Sequence, residues 1–379
     1  MKITKKNAIE ILAIKKEMEN MFENSNLFSE KELSSLFDAG GWAELFVGSH
    51  IPNFKKSSNK RYDVDQTENK FSNSKRGNIK THMVNEDETL HSNFKFGVTI
   101  TGLRKFEVWH PEKVEEYDTC DYYFCVINLP NEFDPKSFFP FLFEILGKKI
   151  KTHFRDKILA RNKEKYPDQY CSTISSKRLE ELGAIKVNWD VQDQEKVDLL
   201  IKFMEYIYKL ASLSNVTPAQ LIYNRRAYDL FAGCSLLLHN SDTILNIKLN
   251  TANAGTDLFI TNHDGTWFEL EHKSYSKKNI NKSLLEIAFS SMTLKKAMGF
   301  VHKSWGLLVS EREEGHYRIG TPKYWNPSLT SEITKKIVAV ASKTPKAKKR
   351  RAVKIPFSGY EEINNKFTQQ ETRMITNWM

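Results

Sequence analysis

The chain has 379 residues, of which 40% are hydrophobic and 27% charged, and its 57 Lys and Arg against 47 Asp and Glu give a formal charge of +10. This length suits two or three domains, and the composition excludes a globally disordered chain. No apolar run is long enough to span a membrane, and charged residues interrupt the N-terminal segment, unlike a signal peptide.

The four cysteines are too few and too scattered for a disulfide framework or a paired zinc-binding pattern. We therefore expect reduced thiols, a cytoplasmic location and no membrane association. The excess of basic residues favours a polyanionic partner without identifying it.

The first part of the chain is predicted to form an α/β domain over residues 1–147. Apolar residues at helical spacings predict a helix over 7–23, and a capping-box pattern opens a second helix over 29–36. Strand-like patterns begin near Arg61, and the aromatic and β-branched run at 121–127 is typical of a buried strand.

Residues 148–215 are predicted to be a helical connector, after which a second α/β domain extends over 216–342. Thr217 and Pro218 supply an N-cap and a proline at the first helical position, and Gln220 completes a capping-box pattern. Within this domain a helix is expected over 281–300, between two strands.

The tail over 343–379 begins with a run of Lys and Arg that contains no acidic residue. A run of like charges is typical of a flexible arm, and this one could contact phosphates. The residues proposed to contact DNA are Arg225, Arg226, Lys348, Lys349, Arg350 and Arg351.

The most informative segment surrounds a predicted β-hairpin. Asp264 and Gly265 between two apolar-rich runs indicate its turn. Alternate residues of a strand share one face at intervals of about 6.6 Å, so Glu271 and Lys273 can converge on one site. Asp257 lies on the paired strand, within reach of the same face.

Two carboxylates and a lysine around one point suit the metal-assisted hydrolysis of a phosphodiester. Mg²⁺ prefers a few carboxylate oxygens, which Asp257 and Glu271 would supply, with Glu269 as a further ligand. Lys273 would hold or deprotonate the attacking water and offset charge on phosphorus. An exposed strand face with ordinary solvated charges is the alternative interpretation of the same pattern.

The order of helix, strand, Asp-bearing strand, Glu-x-Lys strand, helix and strand resembles the PD-(D/E)xK nuclease superfamily, which includes many type II restriction endonucleases. The matching residues are Asp257, Glu271 and Lys273, and Thr256 replaces the proline that precedes the aspartate. The resemblance implies a central mixed sheet flanked by helices, dependence on Mg²⁺, and double-stranded DNA as substrate.

The first half is similar to members of the same superfamily that carry a glutamate on a helix. Its matching residues are Glu44, Asp63, Asn78 and Lys80. Asn78 stands where an acidic residue or glutamine is usual, and its uncharged amide should weaken the binding of a hard cation. This half is therefore either a second cutting centre or a target-recognition module.

These patterns together predict two restriction-endonuclease-like domains joined by a helical connector. The expected function is a Mg²⁺-dependent DNA endonuclease, a type II-like restriction enzyme in host defence with a separate cognate DNA methyltransferase. A single chain or a homodimer could address both DNA strands. The alternatives are a noncatalytic DNA-binding protein that uses nuclease-like folds as scaffolds, or a nuclease for RNA or structured DNA.

Overall fold

A computed structural model of the chain describes residues 2–33, 35–50, 55–56, 63–65, 76–84, 94–101, 121–138, 142–162, 169–187, 190–222, 225–251, 256–276, 284–289, 305–312, 319–325, 335, 339, 351–356 and 361–362. The helices in these residues are α1 (Lys5–Ser25), α2 (Glu30–Leu33), α3 (Ala39–Gly48), α4 (Gly147–Asn162), α5 (Ser176–Glu181), α6 (Gln194–Ser214), α7 (Pro218–Ile222) and α8 (Arg226–His239). None of these described helices combines the length and the apolar character needed to cross a membrane.

The strands in the described residues fall into two successive groups. The first group comprises β1 (Lys55–Lys56), β2 (Val64–Asp65), β3 (Arg76–Val84), β4 (Lys95–Thr101), β5 (Asp121–Asn128), β6 (Leu142–Leu146), β7 (Gln169–Ser175) and β8 (Ile185–Val187). The second comprises β9 (Ile244–Leu249), β10 (Leu258–Asn262), β11 (Trp267–Ser276), β12 (Leu284–Phe289), β13 (Trp305–Arg312), β14 (Ile319–Trp325), β15 (Arg351–Pro356) and β16 (Glu361–Glu362).

The chain divides into two compact units. The inner unit is Asp38–Glu205, and the outer unit joins Met1–Phe37 to Tyr206–Met379. This division differs from the one expected from sequence, because the N-terminal segment packs with the second half. The buried apolar face of α1 lies against α8, and Ile3 pairs with Ile247 in an isolated antiparallel bridge.

The two units share one pattern of strand pairing. The inner sheet has the order β1-β2-β3-β5-β6-β8, and the outer sheet, read in the matching direction, has the order β9-β10-β11-β13-β14-β16. Among the described pairs, β3–β5 and β11–β13 are parallel, and the other neighbours in both sheets are antiparallel. The separate ladders β4–β7 and β12–β15 are also antiparallel. Each described strand of the inner unit thus has a described counterpart in the same position of the outer unit.

The helices repeat in the same way. A 21-residue helix, a short helix and a third helix precede each group of strands, as α1–α3 before β1 and α6–α8 before β9. Helices α3 and α4 pack on strands of the inner sheet, and α8 packs on β9 and β14 of the outer sheet. The prediction of an α/β chain with mixed sheets is confirmed.

Local sequence explains where several helices begin. Ser29 and Glu32 form the predicted capping box before α2, with the Ser29 N–H donating to Glu32 Oε2 at 2.8 Å. Thr217 and Gln220 form another at α7, with the Thr217 N–H donating to Gln220 Oε1 at 2.9 Å. These reciprocal bonds satisfy N–H groups that have no partner within the helix.

A buried apolar core supports each sheet. In the inner unit it is rich in phenylalanine, and the rings of Phe96 and Phe124 lie edge to face with centroids 5.1 Å apart. In the outer unit α8 approaches the sheet closely at Gly233. A Cβ built there would lie 2.8 Å from Cδ1 of Ile247 and 3.1 Å from Leu258, so a larger residue would require these side-chain ends to shift.

The predicted helical connector over 148–215 is wrong in one part, because β7 and β8 lie within it. Strand β8 extends the inner sheet beside β6, and β7 pairs with β4. Ile174 of β7 is buried in the inner core and lies opposite Phe96. A β-branched side chain packs well against a neighbouring strand, and this tertiary pairing decides the conformation.

Two further predictions in the second half need correction. The helix expected over 281–300 is instead a strand at its described residues, β12. The tail over 343–379 is not wholly a flexible arm, because its residues in β15 pair with β12 and those in β16 with β14. Ile287 lies opposite Val353 in the register of the first of these ladders.

Candidate active site

A β-hairpin of the outer unit carries the residues on which the sequence analysis concentrated. Its turn lies at Asp264 and Gly265, as predicted. Gly265 has a left-handed φ of 86°, and the Asp264 carboxylate accepts a hydrogen bond from the Thr266 N–H at 2.9 Å. Glycine is favoured in this conformation because it has no Cβ to clash with the backbone. Strands β10 and β11 continue from the turn, with Phe259 opposite Glu269.

Asp257 lies directly before β10 and is held by the backbone on both sides. Its N–H donates to the Leu270 carbonyl oxygen at 2.8 Å, and its carbonyl oxygen accepts from the Asn250 N–H at 2.9 Å. Its Oδ2 accepts a further hydrogen bond from the His272 backbone N–H at 2.8 Å. The carboxylate of Asp257 is therefore fixed beside the middle of β11.

Glu271 and Lys273 extend from β11 toward the same point. Lys273 Nζ donates a hydrogen bond to Glu271 Oε1 and lies 3.9 Å from Asp257 Oδ2. The side chain of Glu271 is only 7% exposed. Its Oε2 has no hydrogen-bond partner among the residues that the structure describes. The three residues proposed as catalytic are thus neighbours in the fold.

Burial and the charge of a neighbouring carboxylate raise the pKa values of both carboxyls. Burial, and then the charge of Asp257, raises the pKa of Glu271 to about 7. Burial, and then the charge of Asp229, raises the pKa of Asp257 to about 6. Burial lowers the pKa of Lys273, but the adjacent charges of Glu271 and Asp257 together outweigh it, so the net shift is upward. The site therefore pairs a protonated lysine with carboxyls that titrate near neutral pH.

Glu269, proposed as a further metal ligand, has a hydrogen-bond partner of its own. It is buried, and its Oε2 accepts a hydrogen bond from the Thr256 hydroxyl at 2.5 Å. Thr256 immediately precedes Asp257, so this contact helps to hold the chain where β10 starts. A ligand role for Glu269 stays a prediction.

Sequence patterns missed a hydrogen-bonded chain that involves the other face of β11. His272 Nδ1 lies 2.8 Å from Asp229 Oδ1 in α8, and its Nε2 lies 2.9 Å from Ser310 Oγ in β13. His272 and Ser310 are buried. Strand alternation places His272 on this face, but no motif relates it to Asp229 or Ser310, which are distant in sequence. These hydrogen bonds connect α8, β11 and β13 through His272, whose backbone N–H donates to Asp257.

The inner unit repeats the arrangement with one change. Asp63 lies directly before β2, and its Oδ2 accepts a hydrogen bond from the Ile79 N–H at 2.7 Å. Lys80 Nζ lies 3.2 Å from the same oxygen. Asn78 is 6% exposed and occupies the position in β3 that Glu271 occupies in β11. The second candidate site therefore has the same backbone frame, with an amide in place of one carboxylate.

Glu44 lies in α3, the inner counterpart of α8. Burial chiefly raises the pKa of the Cys125 thiol, the charge of Glu44 raises it further, and the charge of Lys80 lowers it. The same thiol donates to the Lys80 carbonyl oxygen at 3.6 Å. Glu44 and Lys80 therefore both act electrostatically on one buried group of the inner unit.

The residues proposed to contact DNA are placed only in part. Arg225 is exposed, with a left-handed φ of 61° directly before α8, and Arg226 is the first residue of that helix. Arg351 begins β15 opposite Phe289. The others lie outside the described residues: Lys348, Lys349 and Arg350.

Within the described ranges, no group of three or more His, Cys, Asp or Glu side chains is arranged to hold a metal ion. The outer site offers two carboxylates, Asp257 and Glu271, so a cation bound there would complete its coordination with water or substrate oxygens. No protein-family model matches this chain, and a search of curated proteins gives no match either.

Proposed function

We propose that the chain is a Mg²⁺-dependent endonuclease of the PD-(D/E)xK type that hydrolyses phosphodiester bonds of double-stranded DNA at Asp257, Glu271 and Lys273. The observation that carries the proposal is Glu271 Oε2, a buried carboxylate oxygen that has no hydrogen-bond partner among the described residues. A buried anionic oxygen without a donor is unfavourable, and a bound cation would compensate for it.

The donor set fits a hard divalent cation. Mg²⁺ takes oxygen ligands and commonly uses one or two carboxylates while it keeps several waters, which Asp257 and Glu271 allow. The raised pKa values of Glu271 and Asp257 reflect burial together with carboxylate repulsion, which a cation would relieve. When bound, Mg²⁺ would polarise the phosphoryl group and lower the pKa of a bound water.

Lys273 supplies the positive charge that the protein itself brings to the reaction. Because its pKa is raised, it remains protonated at neutral pH, so we assign it to orienting the attacking water and offsetting charge on phosphorus. Its hydrogen bond to Glu271 and its 3.9 Å separation from Asp257 Oδ2 hold the ammonium group beside both carboxylates.

The proposal includes two restriction-endonuclease-like domains in one chain. What supports it is the repeated strand pairing and the Asp–Lys contact that recurs in both units. The formal charge of +10 suits a nucleic-acid backbone. We assign to the chain the role of a cytoplasmic type II-like restriction enzyme that has a separate cognate DNA methyltransferase. It would act as a single chain or as a homodimer.

The test compares two matched lysine variants. We expect Lys273→Ala to reduce Mg²⁺-dependent cleavage of duplex DNA by at least about 100-fold, the usual scale for losing a group that stabilises the transition state. Lys80→Ala removes the corresponding lysine of the inner unit and serves as the control. Gel shifts in Ca²⁺ or without a divalent cation should show that both variants still bind duplex DNA, and thermal unfolding should show that both are folded.

Different outcomes separate the candidate functions. Cleavage that survives Lys273→Ala but not Lys80→Ala would move the reactive site to the inner unit. DNA binding without any Mg²⁺-dependent product would favour a noncatalytic DNA-binding protein. A parallel comparison of duplex DNA, single-stranded DNA, structured DNA and RNA would show whether duplex DNA is the preferred substrate.

A further inference from the structure

One pair of equivalent strand positions in the two units carries different functional groups. The equivalent residues of the inner and outer units are respectively Asp63 and Asp257, Asn78 and Glu271, and Lys80 and Lys273. In each unit the aspartate precedes the second strand of the sheet, and its Oδ2 accepts a backbone N–H from the third strand. In each unit a lysine from that third strand approaches the same oxygen.

On the third strand the two sites differ in the functional group of one equivalent residue. Asn78 and Glu271 are similarly buried, at 6% and 5% exposure. An amide oxygen can ligate a cation but brings no negative charge, whereas Glu271 adds a second carboxylate beside Asp257. Hard divalent cations depend on the number of charged oxygen ligands, so the inner site should bind Mg²⁺ far more weakly.

We infer that one copy of the chain nicks duplex DNA, cutting one strand in each binding event, because only the outer of its two described sites has a carboxylate both before its second strand and on its third strand. This inference rests on the proposed nuclease function. In the cut strand, the oxygen of a water forms a bond to phosphorus as the bond from phosphorus to the departing sugar oxygen breaks. The water loses a proton to solvent, and the departing oxygen takes one up, leaving a phosphomonoester and a hydroxyl end.

A charge-restoring substitution tests this inference with its own control. Asn78→Glu supplies the missing carboxylate, while Asn78→Gln gives the same side-chain length without charge. Mn²⁺ binding to the full chain, counted by electron paramagnetic resonance of the free ion, should double in Asn78→Glu relative to the natural chain. It should not change in Asn78→Gln, and Glu271→Gln should abolish binding in the natural chain.

Plasmid cleavage gives the second readout. The natural chain should convert supercoiled plasmid to open circles, with linear product appearing only through later, independent nicks. Asn78→Glu should produce linear plasmid at an early time and at low enzyme concentration. If Asn78→Glu does not fold, Glu271→Gln provides the check, because it should abolish both the Mn²⁺ binding and the nicked product of the natural chain.

The failure of this inference is distinguishable from that of the proposed function. Two outcomes would overturn nicking while the nuclease assignment stands. One is early linear product from the natural chain in a reaction that is first order in enzyme, and the other is bound Mn²⁺ or cleavage that survives in Glu271→Gln. An absence of Mg²⁺-dependent cleavage by the natural chain on every nucleic acid would overturn both.

Discussion

The affinity of the outer site for Mg²⁺ should depend steeply on pH between 8 and 5. A cation needs both carboxyls ionised, and the pKa values of Glu271 and Asp257 are about 7 and about 6. At pH 5, about 1 in 100 molecules would have Glu271 ionised and about 1 in 10 would have Asp257 ionised, so about 1 in 1,000 would have both carboxyls ionised. Because both pKa values are raised, affinity should increase with pH and level off above about pH 8.

Ordinary carboxyls predict a very different result. With pKa values of about 4, the doubly ionised fraction would fall by less than about twofold between pH 8 and pH 5. Calorimetric titration with Mg²⁺ at constant ionic strength would measure the difference, and thermal unfolding at each pH would confirm that the protein stays folded. Glu271→Gln, which removes the carboxyl with the higher pKa, is the control and should lose most of the binding.

The outcome that would refute this reasoning is an affinity for Mg²⁺ that is nearly constant from pH 8 to pH 5. Such a result would mean that the two carboxyls are not close enough to each other, or not buried enough, to compete with protons for the cation. An unchanged affinity in Glu271→Gln would show that the bound cation lies elsewhere in the chain.

Two further substitutions test the surroundings of the site. The charge of Asp229 raises the pKa of Asp257. Asp229→Asn should therefore move the pH step in Mg²⁺ affinity that belongs to Asp257 to lower pH. A step that stays at the same pH would contradict this coupling. Gly233→Ala should lower the free energy of unfolding by about 1–2 kcal/mol, since overpacking against Ile247 outweighs the better helix propensity of alanine. Urea unfolding would measure this free energy, with Gly97→Ala as the control because a Cβ there meets nothing within 4 Å. If Gly233→Ala were as stable as the natural chain or more stable, the side chains around Gly233 would have moved to accommodate the methyl group.

Sequence patterns were sufficient for features that depend on neighbouring residues. The capping boxes at α2 and α7 and the hairpin turn at Gly265 are local hydrogen-bonding and backbone preferences, and the structure confirms them. The candidate site could be located because strand alternation relates Glu271 to Lys273, and the hairpin brings Asp257 alongside them.

Local patterns failed where pairing with a distant segment decided the structure. The residues of β12 and β15 have sequences that suit a helix and a flexible arm, but each forms a strand on the other. The N-terminal helix likewise joins the outer unit because its apolar face packs on α8, far along the chain.

The sequence by itself determined which residue types stand in the two Asp and Lys segments, and hence that Asn78 lacks the charge of Glu271. Only the tertiary structure decided that both segments share one backbone frame and that the Asp229–His272–Ser310 chain lies behind the outer site. It also decided that Glu271 is buried with an unpartnered oxygen among the described residues. The physical reason is that burial and pKa depend on atoms brought together from distant parts of the chain, which no local pattern records.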